Sequence, residues 1–231
     1  MDINDKLKGY IPDPNHQKEN EKRDAIIARR AEQLKIEQRD FIEDWMSHGF
    51  PDIESISEIK TLKKKLDSEQ VEFILKWIPR IANTYGSQEM FVRTLILAAQ
   101  PFDGFVLMAL FDDPDSSFLL KWAIGNTIES AKVLHVTQWL KSKFETLSLG
   151  KEKEMLVLAL RKYLDTEEAR DCLLKIYDNY PLHAADTLAK IGNREDLDFM
   201  INKLSVYKGP SKTLIKKAIN KLEKRLIKNG L

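Results

Sequence analysis

VLMALFDDPDSSFLLKWAIGNTI, residues 106–128, is the stretch whose reading decides the fold: two apolar segments joined by a short acidic turn. Both segments place apolar residues three and four apart, which is the period of an α-helix, and neither alternates strictly as a half-buried strand would. Between them, Asp113 is placed to cap a helix whose first turn begins at Pro114. The FDDPD cluster could also be drawn as a metal site, but it has no neighbouring His or Cys and lacks the Gly and distal Glu of a calcium loop. In the second segment, Ala123, Ile124 and Gly125 alternate small and large side chains. Small residues let a neighbouring helix approach closely, and the large one fills the space between.

The same alternation recurs further along the chain. Aligned on a small residue followed by a large aliphatic one, Ala123-Ile124, Ala159-Leu160, Thr187-Leu188 and Ala218-Ile219 stand 36, 28 and 31 residues apart. An earlier copy lies in MFVRTLILAAQ, near Leu97. Capping or breaking signals divide the intervals into two short helices each: Asp67-Ser68, Gly86-Ser87, Asp165-Thr166, Pro181, Gly192-Asn193 and Gly209-Pro210. A period near 30 residues containing two helices marks an α-solenoid, in which one pair cannot bury both apolar faces until neighbours stack on it.

On these residues the chain resembles a known family. Residues 106–128 are similar to a HEAT repeat of the kind found in phycobilisome-lyase-like proteins, and LHAADTLAKIG, 182–192, resembles the second helix of another copy. The copies at Ala159-Leu160 and Ala218-Ile219 keep the packing alternation but carry Arg161 and Asn220 where Gly125 stands. LLKWAIGNTI followed by KEMLVLAL resembles small stand-alone HEAT-like proteins of bacteria. The resemblance runs from about Asp67 to Leu231. It implies an all-α solenoid of stacked antiparallel helix pairs, a HEAT-like superhelix, and no phycobilin-lyase activity, since the motif is structural.

Three regions are expected: an N-terminal arm over residues 1–15, N-terminal helices over 16–66 that pack on the solenoid, and the repeat domain over 67–231. His16 to Ser47 reads as one long helix with an apolar stripe of Ile27, Ala31, Leu34, Phe41 and Trp45, interrupted by Gln38 at an inner position. Such a stripe fits a short coiled-coil seam or, as favoured here, a helix lying on its own chain. Asp52 reads as the start of a helix over IESISEIKTLKKKL. No sheet is expected.

Thirty-seven Lys and Arg against 36 Asp and Glu give a net charge of +1, so attraction to nucleic acid or anionic membrane would need a local patch. The single cysteine, Cys172, excludes an internal disulfide and sits on a stripe with Ala169, Leu173 and Ile176, where a small buried thiol is expected. The chain contains no phosphate loop, dinucleotide fingerprint, HExxH zinc motif or GxSxG elbow, and His16, His48, His135 and His183 are scattered. No cofactor is expected, no membrane association, and a cytoplasmic location.

These features point to a non-enzymatic scaffold that binds another macromolecule, a protein first, along the row of second helices. A nucleic-acid-binding protein, related in architecture to HEAT-like DNA glycosylases, is the alternative. Asp186 is the only acid in the row that includes Trp122. The candidate contact residues are Trp122, immediately before the small residue of its copy, and the set two past each anchor: Asn126, Lys162, Lys190 and Lys221. Equivalent residues of stacked repeats align, so the three lysines are expected to form a basic ladder. From Ser211 to Lys228 the chain carries six Lys and one Arg against Glu223, with Leu214, Ile215, Ala218, Ile219, Leu222 and Leu226 on the opposite side.

Overall fold

The apolar period of three to four becomes helix almost throughout the computed structural model, which describes residues 14–62, 64–145 and 150–230. α1 spans Pro14–Ser47. Five pairs follow: α2 (Ser68–Trp77) with α3 (Ser87–Thr94), α4 (Phe105–Asp112) with α5 (Phe118–Ser130), α6 (Thr137–Glu145) with α7 (Glu154–Tyr163), α8 (Thr166–Ile176) with α9 (Pro181–Ile191), and α10 (Arg194–Lys203) with α11 (Gly209–Lys228). Of the expected arm, residues 1–13 lie outside the described residues, and Pro14 and Asn15 belong to α1.

Short polar side chains start several of these helices. Asp67 and Asn193 exchange side-chain and backbone hydrogen bonds with Gln70 and Asp196, closing a capping box on α2 and α10. Asp165 accepts from the Glu168 amide at 2.8 Å, and Pro181 occupies the first turn of α9. At the deciding stretch the expectation needs correction. α5 begins at Phe118, its cap is Ser117, which accepts from the Leu120 amide at 3.2 Å, and Asp113 instead closes a tight turn by accepting from the Asp115 amide at 2.9 Å. The stretch after Asp52 is likewise not an α-helix. It forms a 3-10 helix over Ile56–Thr61, because the buried Ile53, Ile56 and Ile59 recur every three residues.

A small sheet also corrects the expectation of none. Phe102–Asp103 (β1) pairs in parallel with Val133–Leu134 (β2), the Phe102 amide donating to Lys132 O at 3.1 Å and Gly104 to Leu134 O at 3.2 Å. Leu66 bridges Ala98 in the same sense. These segments lead into successive helix pairs and run side by side. With Phe102 and Val133 buried, the Phe102 amide finds its acceptor on the facing segment and the Val133 amide donates to Tyr163 Oη at 3.0 Å. Two-residue strands are too short to leave an alternation pattern in the sequence.

The second helices make the spine. α3 packs on α5, α5 on α7, α7 on α9, and α9 on α11, while α4, α6, α8 and α10 lie against their own partners. Ala123, Ile124, Ala159, Leu160, Ala184, Ala185, Leu188, Ala189, Ala218 and Ile219 are all buried. Gly125 marks a close approach of two helices: a Cβ there would lie 2.8 Å from Met155 Cβ and 3.2 Å from the Leu156 nitrogen of α7. Thr127 ties α5 back to α3 through a 2.8 Å bond to Val92 O.

α1 is used in two ways along its length. Phe41 and Trp45 are fully buried among Phe73, Trp77, Phe91 and Phe50, with Phe41 and Phe91 edge-to-face at 4.5 Å. Trp77 donates to Asp44 at 2.9 Å, and Glu37 accepts from the Thr84 and Tyr85 amides and from Ser87 Oγ. Gln38, which reads as an interruption of the stripe, is itself buried: its Oε1 accepts from Ile56 N at 3.0 Å and its Nε2 reaches Met90 Sδ. Toward the N-terminus the stripe is not covered. Lys18 to Glu32 is exposed on every side, Ile27 at 57%.

Candidate functional site

The expected contact residues lie on the second helices: Trp122 and Asn126 on α5, Lys162 on α7, Lys190 on α9 and Lys221 on α11. Trp122 is half-buried on α5, with the Arg93 guanidinium of α3 5.2 Å from its ring centroid. Arg93 is itself held by Glu89 at 2.7 Å. One face of the indole is therefore already covered by a cation from its own chain, and Asn126, one turn further, is half-buried.

The three lysines do not form a row of equivalent charges. Lys162 Nζ donates to the carbonyls of Ile128 at 3.2 Å, Glu129 at 2.9 Å and Ala131, so it closes the C-terminal end of α5. Burial holds its pKa below the usual lysine value, the pull of Glu129 notwithstanding. Lys190 turns back on Asp186, one turn away on α9, at 2.7 Å. Lys221 is exposed and has no partner among the described residues.

Helix length separates Lys162 from Lys221. Lys162 stands in the last turn of the ten-residue α7, level with the end of α5, whereas Lys221 stands midway along the twenty-residue α11. The residue of α11 that reaches the end of its neighbour is Arg225, four positions on, whose Nη2 donates to Gly192 O.

Between α7, α9 and α11 the surface sinks into a groove of about 510 Å³ lined by Leu158, Leu182, His183, Asp186, Leu214, Lys217, Ala218 and Lys221. Its floor is apolar and its rim carries the charges. Leu158, Asp186 and Lys217 occupy the position of Trp122 in their own helices, so this part of the row was visible in the sequence. Leu214 was misplaced by it: rather than joining the buried side of α11 it is 49% exposed and faces the groove with Lys217 and Lys221. The depression exists because Ala218, small enough for α9 to approach, sits between these longer side chains. Burial lowers the pKa of His183, against the opposing influence of Glu154 and Asp186, so at neutral pH the ring is uncharged. The groove's cations are its two lysines.

No protein-family model, curated protein or solved structure gives a significant match to this chain.

Cys172 lies on α8, half-buried beside Phe144 and Leu164, and burial pushes its thiol up to about 11. That suppresses the thiolate at neutral pH. Among the described residues there is no cluster of three His, Cys, Asp or Glu able to hold a metal ion, and no helix long and apolar enough to cross a membrane.

Proposed function

We propose that this chain is a HEAT-like α-solenoid acting as a non-enzymatic, cytoplasmic scaffold that binds another protein along the row of its second helices. Support for the solenoid comes from the order in which α3, α5, α7, α9 and α11 pack and from small residues recurring at their contacts. The observation that carries the binding reading is the groove itself: an apolar floor of Leu158, Leu182, Leu214 and Ala218 with Lys217 and Lys221 on its rim. Apolar centres with polar rims are the anatomy of protein interfaces. A phosphate backbone would favour a continuous cationic track, and here that track is interrupted by the caged Lys162 and the paired Lys190.

Affinity capture from the native cytoplasm, with and without nuclease, tests this. A specific protein retained after nuclease treatment, and lost from a Leu214→Glu/Lys217→Glu/Lys221→Glu chain of unchanged melting temperature, is the expected outcome. Capture that vanishes with nuclease points to the nucleic-acid alternative. The triple change avoids Lys162, where a carboxylate facing three carbonyl oxygens would disturb the fold rather than report on binding.

A further inference from the structure

Resting on the scaffold reading, we infer that the groove between α7, α9 and α11 takes a single amphipathic helix of a partner protein, with acidic residues along the edge facing Lys217 and Lys221. The walls decide the form of the occupant. They are side chains on three helices whose backbone groups are engaged within their own helices. An extended peptide would bring unpaired N–H and C=O groups into a depression that offers no backbone ladder, whereas a helix satisfies its own.

The dimensions set the contacts. Leu214, Lys217, Ala218 and Lys221 are spaced 0, 3, 4 and 7 along α11, two turns or about 10 Å of helix. The occupant therefore presents large apolar side chains about one turn apart to Leu158, Leu182, Leu214 and Ala218. Charge sets the flank. With His183 neutral and Asp186 paired to Lys190, the lining residues that keep an unpaired charge among the described residues are Lys217 and Lys221 on the α11 side, while Glu154 approaches His183 from α7, so Asp or Glu on the occupant complements the α11 edge. A second copy of this chain is a poor occupant through α1: around Ile26 and Ile27, residues 22–32 carry Lys22, Arg23, Arg29 and Arg30 against Asp24 and Glu32, and Asp24 is paired to Arg23, so the stretch is net positive like the rim.

Selection from a display library of random peptides about five helical turns long, on the full chain with counter-selection on Leu214→Glu, tests the inference. Enriched sequences are expected to carry Leu, Ile, Phe or Met at i, i+3 or i+4, and i+7, with Asp or Glu flanking. The best of them, as a synthetic peptide, should gain helical circular dichroism on binding. It should lose roughly tenfold or more in affinity against Lys217→Glu/Lys221→Glu, with the loss concentrated at low salt. Enrichment of Lys- or Arg-rich, proline-rich or strictly alternating sequences overturns the inference, as does no enrichment over the counter-selected chain. Concentration-dependent dimerisation abolished by Leu214→Glu overturns it too, since the occupant would be a second copy. Cellular capture that survives Leu214→Glu but is lost in Arg93→Ala/Trp122→Ala refutes the groove and leaves the scaffold reading standing.

Discussion

Lys162 and Lys221 have the same spacing from their anchors and opposite uses, so they should respond oppositely to loss of charge. Lys162→Met removes a donor from three carbonyls at the end of α5, leaving Ile128 O and Ala131 O to share the Tyr163 hydroxyl and Glu129 O without its side-chain donor, and should cost about 1–3 kcal/mol, read as a lower denaturation midpoint. Lys221→Met should leave stability unchanged within about 0.5 kcal/mol. Tyr177 poses the reverse case. It is fully buried against Phe199 with no hydrogen bond to its hydroxyl among the described residues, and burial drives its pKa upward. Tyr177→Phe removes a desolvated hydroxyl and should be neutral or stabilising by up to about 1 kcal/mol; a clear loss of stability would mean that the hydroxyl has a partner. His183 contributes a pH dependence whose sign follows from its depressed pKa. Below the ordinary value of 6.5 the unfolded chain binds a proton that the folded chain refuses, so this residue's contribution to stability is intact above that value and falls as the pH drops through it. The melting temperature of wild type relative to His183→Gln should therefore decline between pH 7.5 and 5.5, and a constant difference would contradict the burial.

At the scale of elements, α1 divides near Gln33. Residues 18–32 are all exposed, so an Ile26→Ser/Ile27→Ser chain should melt within about 2 °C of the wild type. Phe41→Ala, which empties the centre of the aromatic cluster, should cost about 3–5 kcal/mol. The contrast also shows what a sequence can disclose. Helix pairs, their caps at Asp67, Asp165 and Asn193, and the close contacts at Gly125 and Ala189 follow from local chemistry and were legible. Gln38 was not, because a polar residue interrupts an apolar stripe in sequence, whereas in space it meets Ile56 N and Met90 Sδ from two other elements. Nor was the groove, assembled from Leu158, Leu182 and Leu214 on helices whose relative heights depend on their lengths. The same lengths separate Lys162 from Lys221, and a repeat alignment, which equates residues by offset from an anchor, contains no information about them.

For the whole molecule, the order of packing implies graded rather than uniform stability. α5, α7 and α9 each have a second helix on both sides, α11 has one such neighbour, and the outer half of α1 has none. In an array held by nearest-neighbour contacts, the free energy of opening a helix tracks the number of interfaces broken. Amide exchange should therefore be slowest in α5, α7 and α9 and fastest over residues 18–32. Ala189→Leu then separates propagation along a row from collapse of a single core. Ala189 is buried on α9, and a larger side chain there overpacks the contact at a cost of about 1–3 kcal/mol. In a row, exchange should accelerate in α9 and its neighbours α7 and α11 and remain close to wild type in α3. Equal acceleration in every helix would show that the chain opens as one unit, and would count against the solenoid.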